Sequence, residues 1–152
     1  MKTPNKKKRV MVYGTFDLLH PGHLNFLEQA KLLGGYLIVS VSRDHNAKKF
    51  KGHLPIFSER ERLRIVSSLR MVDRAILGDR EEYLPHTKRE HPDIIALGYD
   101  QTAYGWQLEQ DIKQGKLKAR LVRLKPYKPR RHKSTRYKQL ISGSARTWLV
   151  TS

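Results

Sequence analysis

The chain has 152 residues, 38% hydrophobic and 30% charged, with no cysteine, which is enough for one domain with a core and excludes disulfides and thiolate metal sites. No apolar run approaches the ~20 residues that span a bilayer, and Met1 to Arg9 lacks the apolar core and cleavage site of a signal peptide, so the expected compartment is the cytoplasm. The formal net charge of +17 sits at the ends: residues 1–9 hold five Lys/Arg and residues 116–152 hold twelve, neither with an acid, while 10–115 hold fourteen of each sign.

In chain order, Val10 to Tyr13 forms a short buried strand. The segment Gly14-Thr15-Phe16-Asp17-Leu18-Leu19-His20-Pro21-Gly22-His23 follows as a turn, and Leu24, Leu27, Ala30 and Leu33 then mark a helical stripe that ends at Gly34-Gly35. Tyr36 to Val41 is nearly all apolar, as in a parallel strand covered on both faces. Residues 43–57 are predicted as a basic loop, and Ser58 with Glu61 has the spacing of a capping box that opens the next helix. Arg74 to Leu77 is a third strand, Asp79 caps a helix to about Glu90, and Ile94 to Leu97 is a fourth strand closed by Gly98. A polar, helix-compatible stretch runs to Gln114, Arg120 to Leu124 is a fifth strand, 125–133 is a Pro-rich basic loop, and Ser134 to Ile141 is a last helix. Strands alternating with helices imply an α/β, Rossmann-like single domain, a five-stranded parallel sheet with helices on both faces. The expected divisions are a basic extension over 1–8, the domain over 9–141 and a tail over 142–152.

In such sheets ligands bind beyond the carboxyl ends of the strands near the switch point, and the first strand–helix turn carries His20 and His23. A helix start offers unpaired N–H groups and the positive end of the macrodipole. Two imidazoles beside it make a pocket for a polyphosphate. Thr15 and Phe16 are placed to offer backbone N–H groups, Thr15 also a hydroxyl, and Gly14 and Gly22 bring the chain close to a nucleotide. Asp17 is open between orienting the turn, reaching a metal and a structural role. Asp100, in Gly98-Tyr99-Asp100-Gln101, is open between accepting from a base or ribose hydroxyl and closing a tight turn. Ser134 and Thr135, at a helix start flanked by Lys133 and Arg136, form a second phosphate-binding arrangement. The basic ends suit attraction of small anionic substrates, a solvated tail, or phosphate contacts of a nucleic acid. The last is disfavoured, because no zinc-finger spacing or RNP-type aromatic motif is present.

His20-Pro21-Gly22-His23 after Gly14-Thr15-Phe16-Asp17 resembles the HxGH motif of the cytidylyltransferase-like nucleotidyltransferase superfamily. With Arg43-Asp44, Lys49-Phe50-Lys51-Gly52, Val72 to Gly78 and Gly98-Tyr99-Asp100-Gln101, the pattern looks most like the archaeal-type FAD synthases. The resemblance implies transfer of a nucleoside monophosphate from a nucleoside triphosphate to a phosphorylated acceptor with release of pyrophosphate: ATP and FMN to FAD first, CTP and glycerol 3-phosphate or another polyol phosphate as the alternative. A non-catalytic nucleotide- or RNA-binding protein is the alternative of another class. It implies Lys51 as a phosphate-binding lysine, Arg62 packed behind the site, Ser134 and Thr135 as a looser form of the terminal Ser/Thr motif, and relatives that form homodimers. It also implies a divalent metal, Mg2+, held by the phosphates, with no metal site built from protein side chains.

Overall fold

The computed structural model describes residues 4–151, and side chains within that span except at positions 103 and 144–151. The first strand, β1 (Lys8–Gly14), leads into helix α1 (Pro21–Gly34) and β2 (Gly35–Val41). Two short helices, α2 (Asp44–Lys51) and α3 (Glu59–Ser67), precede β3 (Arg74–Leu77). The chain continues through α4 (Tyr83–Glu90), β4 (Ile94–Leu97), α5 (Thr102–Lys113), β5 (Arg120–Arg123) and α6 (Ser134–Thr151). All described pairings are parallel, in the order β3-β2-β1-β4-β5.

Side chains alternate faces along each strand, and the core divides accordingly. Val10 and Val12 of β1 pack with Val39 and Val41 of β2 and with Leu27, Ala30 and Val66 from α1 and α3. Met11 and Tyr13 point the other way, onto Ile38, Ile95, Leu97 and Leu108, with Tyr83 and Leu84 of α4 beside them. Helices thus cover both faces. Helix α1 packs tightly because residue 34 has no side chain: a Cβ there would stand 2.5 Å from the Lys8 carbonyl oxygen and 2.7 Å from Val10 Cγ2.

The chain steps outward from β1 to β2 and β3, then returns to the other side of β1 with β4. That reversal makes the crevice between β1 and β4. β1 is laddered to β2 over seven residues, up to Gly14 opposite Val41, yet it is laddered to β4 only at Val10–Ile94 and Met11–Ile95. Beyond Met11 the side-chain amide of Gln101 bridges the two strands: its Nε2 donates to the Tyr13 carbonyl (2.9 Å) and its Oε1 accepts from the Gly98 N–H (2.8 Å).

Three expectations are corrected. Residues 44–51, predicted as loop, form α2, whose sequence is too polar for an apolar stripe; only Ala47 is buried. The helix expected from Asp79 starts at Tyr83, and Asp79 instead accepts from the Arg80 N–H and pairs with Arg89. Helix α6 runs past residue 141, where a tail was expected, to Thr151.

Candidate functional site

The turn after β1 is built around two histidines that cap their own helix. His20 Nδ1 accepts from the Gly22 N–H (3.0 Å), and His23 Nδ1 accepts from the His20 N–H (3.2 Å). Their rings stack at 3.8 Å between centroids. Burial lowers the His20 pKa to about 4, with a smaller push from His132. Burial also lowers His23 to about 3, followed by the effects of His20 and Lys51. Both rings are therefore neutral at pH 7. Because each Nδ1 accepts a backbone N–H, each ring carries its proton on Nε2, which becomes a donor. Gly22 is required here by the rings themselves: a Cβ would lie 2.8 Å from His20 Cε1 and 3.2 Å from the His132 Cβ.

Gly14 ends β1, and a Cβ there would collide with the Phe16 ring at 2.7 Å. Phe16 (φ 54) and Leu18 (φ 50) take left-handed backbone, so the turn is tightly wound. Phe16 is buried and meets His23 edge-on. The Thr15 carbonyl faces Arg62, not solvent: Arg62 Nη1 donates to it at 2.7 Å. Arg62 is completely buried, also donating to the Phe57 carbonyl and pairing with Asp44 at 2.7 Å. One guanidinium thereby joins the turn, the start of α2 and the start of α3.

Asp17 joins two other segments to the turn. Its carboxylate accepts from the Ile56 and Phe57 N–H groups (2.7 and 3.1 Å) and pairs with Lys138 of α6 at 2.8 Å. Burial alone would raise its pKa, but Lys138 and the two backbone donors outweigh it and hold the carboxyl below its ordinary value. The Asp17 carbonyl accepts from Ser134 Oγ at 2.6 Å. Asp17 is thus a bracket between the turn, the α2–α3 connection and α6. Lys51, at the end of α2, lies in the same field: desolvation lowers its pKa, then Lys138, with Asp17 and Asp100 acting in the opposite sense.

His20, His23, Asp17, Lys51, Arg62 and Ser134 are therefore brought together. Thr135 lies apart, in a cleft of about 490 Å³ also lined by Tyr99, Arg130, Lys133 and Arg136, with the Lys133 ammonium 5.7 Å from the Tyr99 ring centre. Asp100 is exposed next to Tyr99. A further basic cleft of about 380 Å³, between Arg43, Gly78, Arg80 and Arg89, contains none of the expected residues. Among the described residues no group of three or more His, Asp or Glu is arranged to hold a metal ion, and no helix is long and apolar enough to cross a membrane.

The cytidylyltransferase-like family model matches residues 11–140, from the middle of β1 into α6. The chain belongs to the cytidylyltransferase-like family. It is 45% identical to an FAD synthase of Ferroglobus placidus over 78% of this chain and 76% of that one. It is 47% identical to an FAD synthase of Archaeoglobus profundus over 77% and 74%. Among solved structures it resembles a lipopolysaccharide core biosynthesis protein from Thermoplasma volcanium, with a TM-score of 0.73 and 40% identity over 80% of this chain and 98% of that one.

Within this cytidylyltransferase-like scaffold, sequence reasoning missed Gln101 as the bridge across the crevice, Lys138 as the partner of Asp17, and His132 beside His20. Lys138 carries a sequence signal: it falls one helical turn after Ser134, on the same face of α6. His132 sits in a Pro-rich loop with no periodicity to point to it.

Proposed function

We propose that the chain is an FMN adenylyltransferase, an FAD synthase, joining the AMP moiety of ATP to the phosphate of FMN. An FMN phosphate oxygen attacks the α-phosphorus of ATP, a P–O–P bond forms, and the bond to the β-phosphate breaks to release pyrophosphate. The nucleophile is already ionised, so the protein's task is alignment and neutralisation of charge growing on the equatorial and leaving oxygens. The observation that carries the reading is the stacked, neutral His20–His23 pair, whose Nε2 donors stand at the mouth of the crevice. In this reading they donate to the α- and β-phosphates, Lys51 supplies a positive charge at the end of α2, and the start of α6, through Thr135 with Lys133 and Arg136, holds the distal phosphates. Asp100, next to Tyr99, accepts from the base or a ribose hydroxyl. The choice of ATP and FMN follows from the names of the relatives.

A divalent metal, Mg2+, belongs to this chemistry as a phosphate-held ion. Among the described residues none form a cage for it, and the Asp17 carboxylate is taken up by Lys138 and two N–H groups. Use of ATP and FMN supports a cytoplasmic location for the enzyme. The test is direct: purified protein with each of ATP and CTP, and with each of FMN and glycerol 3-phosphate, resolved by chromatography. FAD and pyrophosphate from ATP plus FMN alone are expected. A cytidylylated product, or no product with any pair, overturns the assignment.

A further inference from the structure

The geometry points to His132 as a third phosphate-binding imidazole of this site, donating beside His20 and His23 to the triphosphate tail. The inference rests on the function proposed above. Four rings stand in a row with nearly parallel planes. Tyr127 and His132 are 5.9 Å apart at 4°, His132 and His20 are 6.1 Å apart at 19°, and His20 and His23 are 3.8 Å apart at 25°. The loop over 125–133 therefore folds back on the histidine turn, close enough that any side chain at position 22 would meet His132.

Packing alone would be served by any flat ring, but this one has its rotation fixed. His132 Nδ1 is hydrogen-bonded to the Tyr137 hydroxyl at 2.5 Å. When Tyr137 donates, the imidazole proton sits on Nε2, as it does in His20 and His23. Lys128, Arg131 and Arg136 bear on the same ring and, after desolvation, favour its neutral form. A fixed N–H donor among three cations, in a segment with no acid from 116 onward, is suited to an anion and to nothing positively charged. Its place next to His20 assigns it the β- or γ-phosphate.

The test uses calorimetric titration of inorganic triphosphate and, separately, of AMP into the full chain, as wild type, His132→Phe and His132→Gln, with thermal melts to verify folding. Phenylalanine keeps the ring row and removes the donor; glutamine restores an N–H. Loss of one hydrogen bond to a charged group predicts that His132→Phe weakens triphosphate about tenfold or more, with AMP affinity unchanged and partial recovery in His132→Gln. Unchanged triphosphate binding in His132→Phe overturns the inference, as does an equal loss of triphosphate and AMP, which marks a packing role. The two failures separate cleanly. Wild-type protein that binds triphosphate through His132 yet makes no FAD sinks the proposed reaction and keeps the subsite. Protein that makes FAD while His132→Phe binds triphosphate normally does the reverse.

Discussion

At the residue scale, the site depends on side chains that hold backbone before they hold any ligand. His20 and His23 spend one ring nitrogen each on their own helix start, which fixes the tautomer and aims the other nitrogen outward. Protonation of either Nδ1 would break that cap. Their folded pKa values, about 4 and about 3, lie below the ordinary 6.5. Their contribution to stability is thus complete above about pH 6.5 and is lost as the pH falls towards 4. Urea midpoints at pH 7 and pH 5 should show a drop in wild type that is smaller in His20→Asn, since Asn caps a helix without titrating. An equal drop in both proteins would contradict the tautomer assignment. Arg62 is a second case: three partners share one buried guanidinium. Arg62→Leu leaves the Thr15 and Phe57 carbonyls unpaired, and a loss of about 3–5 kcal/mol in urea unfolding is expected.

At the element scale, Asp17 ties α6 and the α2–α3 connection to the first turn. Replacing it with alanine should cost about 3 kcal/mol in thermal or urea unfolding and loosen both segments, seen as faster proteolysis between Lys51 and Phe57. Gly34→Ala should cost about 1–3 kcal/mol, because the added Cβ meets the Lys8 carbonyl, which a rigid strand cannot withdraw. Elements with a strong period were legible in sequence: β3 and β4 match residue for residue, and Ser58 with Glu61 forms the capping box that its spacing announced. Helix α2 was not, because it is stabilised by long-range bonds, such as the Asp44 N–H to Glu59, and by the left-handed Gly52 at its end. The position of the histidine turn was readable from its motif. Its dependence on Asp17, Gln101 and Lys138 was not, because those bonds join residues distant in sequence whose residue types are equally at home on a surface.

At the scale of the whole molecule, the order in which strands join the parallel sheet reverses between β1 and β4, and that reversal sets where a nucleotide fits. The net charge of +17 gives the molecule a positive field, to which Arg130, Lys133 and Arg136 contribute at the Tyr99 cleft. Such a field steers anions and is screened by salt. Accordingly, kcat/KM for ATP should fall as ionic strength rises, with kcat little changed; a salt-independent kcat/KM would remove the basic segments from substrate capture. Catalysis rests most directly on the paired imidazoles. Steady-state FAD formation from ATP and FMN by His20→Asn and His23→Asn, each verified as folded by circular dichroism, should lose at least about 100-fold in kcat/KM, roughly 3 kcal/mol of transition-state stabilisation. Wild-type turnover in both folded variants would contradict it.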